Sequence, residues 1–177
     1  INSGAAIARL GEAYADGVER LGLPFDSVFG PAYKGIPIAV ATASALAARG
    51  RDCGWLFNRK EAKTHGEGGQ FVGAPVTGRL LLVDDVLTAG TALREAAGLV
   101  TAAQGTLAGV VIALDRQELI DGTTAVARLA RELGIPVISI LTLQDVIEYL
   151  DLKAAQDNHA SQMLAEVKAY QAEYCLQ

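Results

Sequence analysis

Asp84 and Asp85 follow the apolar run Leu80-Leu81-Leu82-Val83 and precede the small, hydroxyl-bearing stretch Val86-Leu87-Thr88-Ala89-Gly90-Thr91. Four consecutive apolar residues suit a strand buried on both faces, so the two carboxylates fall where such a strand emerges at its carboxyl end. In open parallel sheets that edge is where ligands bind. Thr88 to Thr91 then lead into the apolar-periodic run from Ala92 to Val100, which would set backbone N–H groups and two hydroxyls at a helix N-terminus, a place suited to a phosphate. Neither G-x-x-x-x-G-K-[ST] nor G-x-G-x-x-G is present, so the common nucleotide-binding loops are excluded. The plainer alternative is a strand end at which Asp85 caps a turn.

Three further segments carry charge in patterns that fit an anionic ligand. Gly30-Pro31-Ala32-Tyr33-Lys34-Gly35 follows a short apolar strand, and its glycines let the backbone approach a phosphate that Lys34 would neutralise. An ordinary turn lysine is the competing view. Arg59, Lys60, Lys63 and His65 stand within seven residues, followed by Gly66, Gly68 and Gly69. Composition alone fits a solvated loop, but a glycine-hinged cationic flap could also close over a multiply charged anion and exclude water. Arg116 follows the apolar run Leu107 to Leu114 and could grip a carboxylate with two parallel hydrogen bonds, or pair with Asp115 or Glu118.

The elements that must position these groups alternate along the chain. Helical spacing covers Ala5 to Leu21 with Ser3 as cap, Ile36 to Arg49 ended by Gly50, about Gly90 to Ala103, Thr123 to Leu133 before Gly134, and Leu152 to Tyr174 at the surface. Strands are expected at Ser27 to Phe29, Cys53 to Phe57, Leu80 to Val83, Leu107 to Leu114 and Val137 to Leu141, with a mobile loop from Asn58 to Gln70. Such alternation implies an α/β fold with a mostly parallel sheet covered on both faces. A chain of 177 residues with 51% hydrophobic content fits one domain over residues 1–177. A net charge of -5 argues against a general nucleic-acid binder. Apolar stretches are too short for a membrane span, and Cys53 and Cys175 make neither a disulfide framework nor a zinc site, so a reducing cytoplasmic location is expected. The start at Ile1, directly before a helical pattern, suggests that residues lie upstream.

The acidic-pair segment resembles the phosphoribosyl pyrophosphate (PRPP) signature of type I phosphoribosyltransferases. Phe-Gly-Pro-Ala-Tyr-Lys-Gly-Ile-Pro at 29 to 37, Phe-Asn-Arg-Lys-Glu-Ala-Lys at 57 to 63, His-Gly-Glu-Gly-Gly at 65 to 69 and Leu-Asp-Arg-Gln-Glu at 114 to 118 resemble the orotate phosphoribosyltransferase family in particular. The likeness runs from about Phe25 to Tyr149. It implies the type I phosphoribosyltransferase fold with a flexible catalytic loop. It also implies transfer of a phosphoribosyl group from PRPP to orotate, and a homodimer with shared active sites. By resemblance, Tyr33, Lys34 and Lys60 contact PRPP, while Arg59, Lys63 and His65 reach the PRPP of the neighbouring subunit. Asp84, Asp85, Val86, Leu87, Thr88, Ala89, Gly90, Thr91 and Ala92 hold the ribose and 5-phosphate, and Thr88 and Arg116 bind orotate. Lys63 is the expected catalytic cation, with His65, Asp84 and Asp85 assisting. Magnesium is expected through PRPP, with no protein ligands. Family members carry a Leu-Lys-Ser-Gly-Arg segment and an aromatic pair ahead of the first helix seen here, which this chain starts too late to contain. Two other functions share the donor: a purine-base transferase, and a regulatory module that binds PRPP without catalysis.

Overall fold

The computed structural model describes residues 2–60, 69–87 and 90–175. Lys63, His65, Thr88 and Ala89 lie outside them. Six strands form one sheet in the order β3-β2-β1-β4-β5-β8. These are β1 Ser27–Gly30, β2 Gly54–Asn58, β3 Phe71–Gly73, β4 Arg79–Val86, β5 Thr106–Asp115 and β8 Val137–Thr142. All neighbours run parallel except β3, which pairs antiparallel with β2. A two-stranded hairpin, β6 Leu119–Ile120 with β7 Thr123–Thr124, follows β5.

The helices are α1 Gly4–Leu21, α2 Gly35–Ala48, α3 Thr91–Ala102, α4 Ala125–Leu133, α5 Leu143–Ala154 and α6 Asn158–Tyr174. The chain steps from β1 through α2 to β2 in one direction, and from β4 through α3 to β5 and through α4 to β8 in the other. Right-handed crossovers taken in opposite directions place their helices on opposite faces. Residues of β4 record this by alternation. Leu81 and Val83 pack with Tyr14, Ile38 and Leu46 of α1 and α2, whereas Leu80 and Leu82 pack with Leu93, Val100 and Leu129 of α3 and α4. All four strand residues are fully buried, and each such side chain stabilises by about 1.5–3 kcal/mol relative to exposure.

The structure departs from the sequence reading in the hairpin, whose strand β7 takes the expected start of a helix, in residues 143–151 of α5, where no helix was expected, and in three further features. Strand β4 continues through Asp84 and Asp85 to Val86, because β5 is long enough to pair with Asp84 at Ile112 and with Val86 at Leu114. Strand β3 has no counterpart in that reading, since three residues are too few to show a period. The surface helix expected over 152–174 is the end of α5 followed by α6. Asp157 breaks the run by accepting from the N–H groups of His159 and Ala160 at 2.9 and 3.3 Å, which starts a new helix.

Candidate functional site

The strand order reverses direction between β1 and β4, and the crevice beyond their carboxyl ends is where such sheets take ligands. Both expected loops arrive there. The Lys34 Nζ lies 2.7 Å from Asp85 Oδ2, joining the loop after β1 to the end of β4. Lys34 is 79% exposed, so this pair contributes little to stability. Asp84 is half-buried and accepts from the Asp85 backbone N–H at 3.0 Å. Burial, with the adjacent Asp85 charge, pushes its carboxyl above the usual carboxylate range. Beneath the pair, the fully buried Tyr14 of α1 donates its hydroxyl to the Asp84 carbonyl at 2.5 Å. Desolvation first, and the two carboxylates second, raise that phenol so that it stays a donor.

Helix capping separates this edge from the rest of the molecule. Ser3, Thr124, Thr142 and Asp157 cap α1, α4, α5 and α6 with side-chain oxygens. The N-caps of α2 and α3, Lys34 and Gly90, make no such bond. These two helices are the ones that follow β1 and β4. At α3 the first-turn N–H groups, together with the positive end of the helix dipole, remain suited to an anion, whereas at α2 the Gly35 and Ile36 N–H groups already donate to the Pro31 and Tyr33 carbonyls at 3.0 and 3.3 Å and Pro37 has none, so Lys34 is the donor on that side. Gly90 adopts φ 77°, a left-handed conformation that its lack of a Cβ permits.

On the β2 side the Ala32 N–H donates to Asn58 Oδ1 at 3.0 Å, tying the loop after β1 to the end of β2. Lys60 Nζ stands 4.9 Å above the centre of the Tyr33 ring, which is 67% exposed. Arg59 turns back on its own loop, with Nη1 donating to the Gly69 carbonyl at 3.0 Å. A cavity of about 630 Å³ opens here between Asn58, Arg59, Lys60 and the face of α3. A second, of about 310 Å³, has apolar walls from α1 and α2 and meets Lys34 and Asp85 at its rim.

Arg116 follows β5, which pairs with β4, so it reaches the same edge. Its Nη2 lies 3.1 Å from Glu118 Oε1, so the local ion pair weighed from the sequence is formed. The pair leaves donors over: Arg116 Nε is buried and has no partner among the described residues. A buried donor without a partner costs free energy.

Of the residues singled out from sequence, Lys34, Asp84, Asp85, Tyr33 and Lys60 lie on loops or strand ends at one edge. Gly90, Thr91 and Ala92 start α3 there. Val86 ends β4, and Leu87 is 4% exposed, with its side chain packed in the core. Tyr14, Asn58 and Glu118 were not singled out as site residues. Their bonds to Asp84, Ala32 and Arg116 carry no local signal except in Glu118, two residues from its partner.

Residues 1–121 match the phosphoribosyl transferase domain family. An orotate phosphoribosyltransferase of Pseudomonas fluorescens (strain Pf0-1) is 52% identical over 176 residues, covering 98% of this chain and 80% of that protein. The crystal structure of an orotate phosphoribosyltransferase from Francisella tularensis superposes with a TM-score of 0.79 at 34% identity, covering 98% of this chain and 82% of that one. The Mycobacterium tuberculosis orotate phosphoribosyltransferase in complex with PRPP gives 0.62 at 26% identity over 79% of this chain and 75% of its own. With that family match and that identity over nearly its whole length, the chain belongs to the orotate phosphoribosyltransferases.

Proposed function

We propose that the carboxyl edge of β1 and β4 is the site at which this chain transfers the 5-phosphoribosyl group of PRPP to orotate, yielding orotidine 5-monophosphate and pyrophosphate in pyrimidine biosynthesis. The observation that carries it is the meeting, at one switch point, of a carboxylate pair with Lys34 and with the N-terminus of α3, which no side chain caps. Such a site has acceptors for sugar hydroxyls beside donors for phosphates, which is the composition of a phosphorylated ribose.

In this reading Asp84 and Asp85 accept from the ribose hydroxyls, and the start of α3, residues 90–92 with Thr88 and Ala89, takes the 5-phosphate. Tyr33, Lys34 and Lys60 contact the diphosphate. An orotate ring nitrogen attacks C1 of the ribose as the C1–O bond to pyrophosphate breaks, and no covalent nucleophile on the protein is needed. Positive charge grows on the ribose in the transition state, next to the two carboxylates; Lys63, Arg59, His65 and Lys60 meet the negative charge of the departing pyrophosphate. Thr88 and Arg116 hold orotate, the guanidinium of Arg116, whose side chain is 34% exposed, meeting its carboxylate.

Magnesium is the proposed cofactor. Among the described residues no three acidic, histidine or cysteine side chains gather to cage a metal, and the Asp84-Asp85 pair fits a hard cation only as a partial set of oxygens. It would arrive on PRPP and supply charge neutralisation at the diphosphate. Arg59, Lys63 and His65 are proposed to act across a homodimer interface. The free Cys53 and Cys175 fit work in the cytoplasm.

The test is to mix the protein with PRPP, magnesium and orotate and to follow loss of orotate absorbance together with pyrophosphate release. Turnover with orotate, and none with adenine or hypoxanthine run in parallel, is the expected result. Turnover with a purine base alone would move the acceptor assignment. Binding of PRPP without pyrophosphate release would make the chain a regulatory module.

A further inference from the structure

The C-terminal helix α6 lies far along the sequence from every group proposed to touch substrate, yet it is fastened to the segment that carries Arg116. Tyr170 donates its hydroxyl to Glu118 Oε1, the same oxygen that lies 3.1 Å from Arg116 Nη2. Cys175 Sγ sits 3.3 Å from the Arg116 carbonyl oxygen. A third connection runs through α5: the Gln144 N–H donates to Gln117 Oε1 at 3.0 Å, and Gln171 of α6 donates to Gln144 Oε1 at 3.2 Å. Gln117 itself has φ 57°, held by its N–H donating to Asp115 Oδ1 at 2.8 Å. Three consecutive residues, 116 to 118, are thus each reached by the last two helices.

We propose that α6 is a positioning element for acceptor recognition, with Tyr170 acting through Glu118 to set the guanidinium of Arg116. The inference rests on the reading of Arg116 as the group that takes the acceptor's carboxylate. Glu118 alone could swing Arg116 in several rotamers, because both side chains are long and more than a quarter exposed. The Tyr170 hydroxyl fixes one carboxylate oxygen and so selects the arrangement in which Nη2 is engaged by Glu118. Burial and the hydrogen bond to Glu118 push the phenol's pKa up to about 12, so it remains a donor throughout the neutral range. Its ring is held independently by Tyr174, with centroids 4.9 Å apart. Loss of the hydroxyl therefore need not move the helix.

Steady-state kinetics on Tyr170→Phe, Arg116→Ala and the double variant test this, with a thermal melt of each to show that the fold is kept. Tyr170→Phe is expected to raise KM for orotate about fivefold, the scale of one hydrogen bond, while kcat and the KM for PRPP stay as in the parent. In the Arg116→Ala background the same change should add nothing, because Tyr170 then has no guanidinium to set. An unchanged orotate KM in Tyr170→Phe, an equal change in both substrates' KM values, or a full fivefold effect in the Arg116→Ala background overturns the proposal while leaving Arg116 as an acceptor residue. An Arg116→Ala enzyme with the parent's orotate KM removes the reading beneath it, and the role of α6 with it.

Discussion

Strands β1 and β4 lie side by side, and a carboxylate stands at each end of the pair. At the amino end Asp26 accepts from Arg79 three times, from the backbone N–H at 2.7 Å, Nε at 3.4 Å and Nη2 at 3.1 Å, and donates its own N–H to the Arg79 carbonyl. The side-chain and backbone bonds from Arg79 hold its carboxyl below the usual range. At the carboxyl end Asp84 is more deeply placed, receives one backbone bond and sits beside a second carboxylate, and its carboxyl is raised. One sheet thus treats the same chemical group in opposite ways. The amino end satisfies its charges internally, which favours the fold. The carboxyl end leaves the Asp84 charge poorly compensated and the N-terminus of α3 without a side-chain cap, which disfavours the fold.

The sharpest way to break this contrast is to change charges at each end and read activity and stability separately. Lys63→Ala, between β2 and β3 in the sequence, should lower kcat by roughly 1,000-fold with PRPP binding and melting temperature little changed. An unchanged kcat removes Lys63 as the catalytic cation. Asp85→Asn should lower kcat/KM by about 100-fold. Asp84→Asn should do the same while raising the melting temperature, since it removes a charge whose burial is unfavourable; a fall in melting temperature contradicts the account of that end. Asp26→Asn should leave kcat and both KM values alone and lower the melting temperature by a few degrees at most, because the Arg79 pair is about half exposed.

The smallest effect is a difference in sign with pH. Asp26 has a lowered folded pKa, so its contribution is present above the ordinary value of 3.8 and is lost as pH falls through the folded value. Asp84 has a raised one, so its contribution is present below 3.8 and is lost as pH rises through the folded value. Urea unfolding measured across the acid range should therefore show stability rising less steeply with pH in Asp26→Asn, and more steeply in Asp84→Asn, than in the parent. Equal slopes in all three would show that the two ends do not differ in the way described.

What was legible in the sequence was local in origin. The segment from Leu80 to Val100 announces a buried strand, an acidic exit and a helix start, because strand burial, turn chemistry and helix period are each written within a few residues. Ser3 capping α1 and Gly134 ending α4 were legible for the same reason. Arg116 illustrates the limit. Its local options were an ion pair or an external carboxylate, and the structure shows the pair with Glu118 together with an unpartnered Nε. Residue spacing could not show that these two states coexist, since that depends on how many of the five guanidinium donors one neighbour can reach.

By itself, the sequence determined the alternation of strands and helices, the two loops bearing Lys34 and the acidic pair, and the likeness to a transferase family. Only the tertiary structure decided that β1 adjoins β4, which makes those loops neighbours and brings Lys34 to Asp85. It also decided that Tyr14, 70 residues away, supports Asp84 from below, and that Tyr170, 52 residues away, reaches Glu118. The physical reason is one of range. Backbone conformation and capping answer to neighbours within a turn or two, whereas a hydrogen bond between distant segments exists only after the faces of the sheet have chosen which helices to bury.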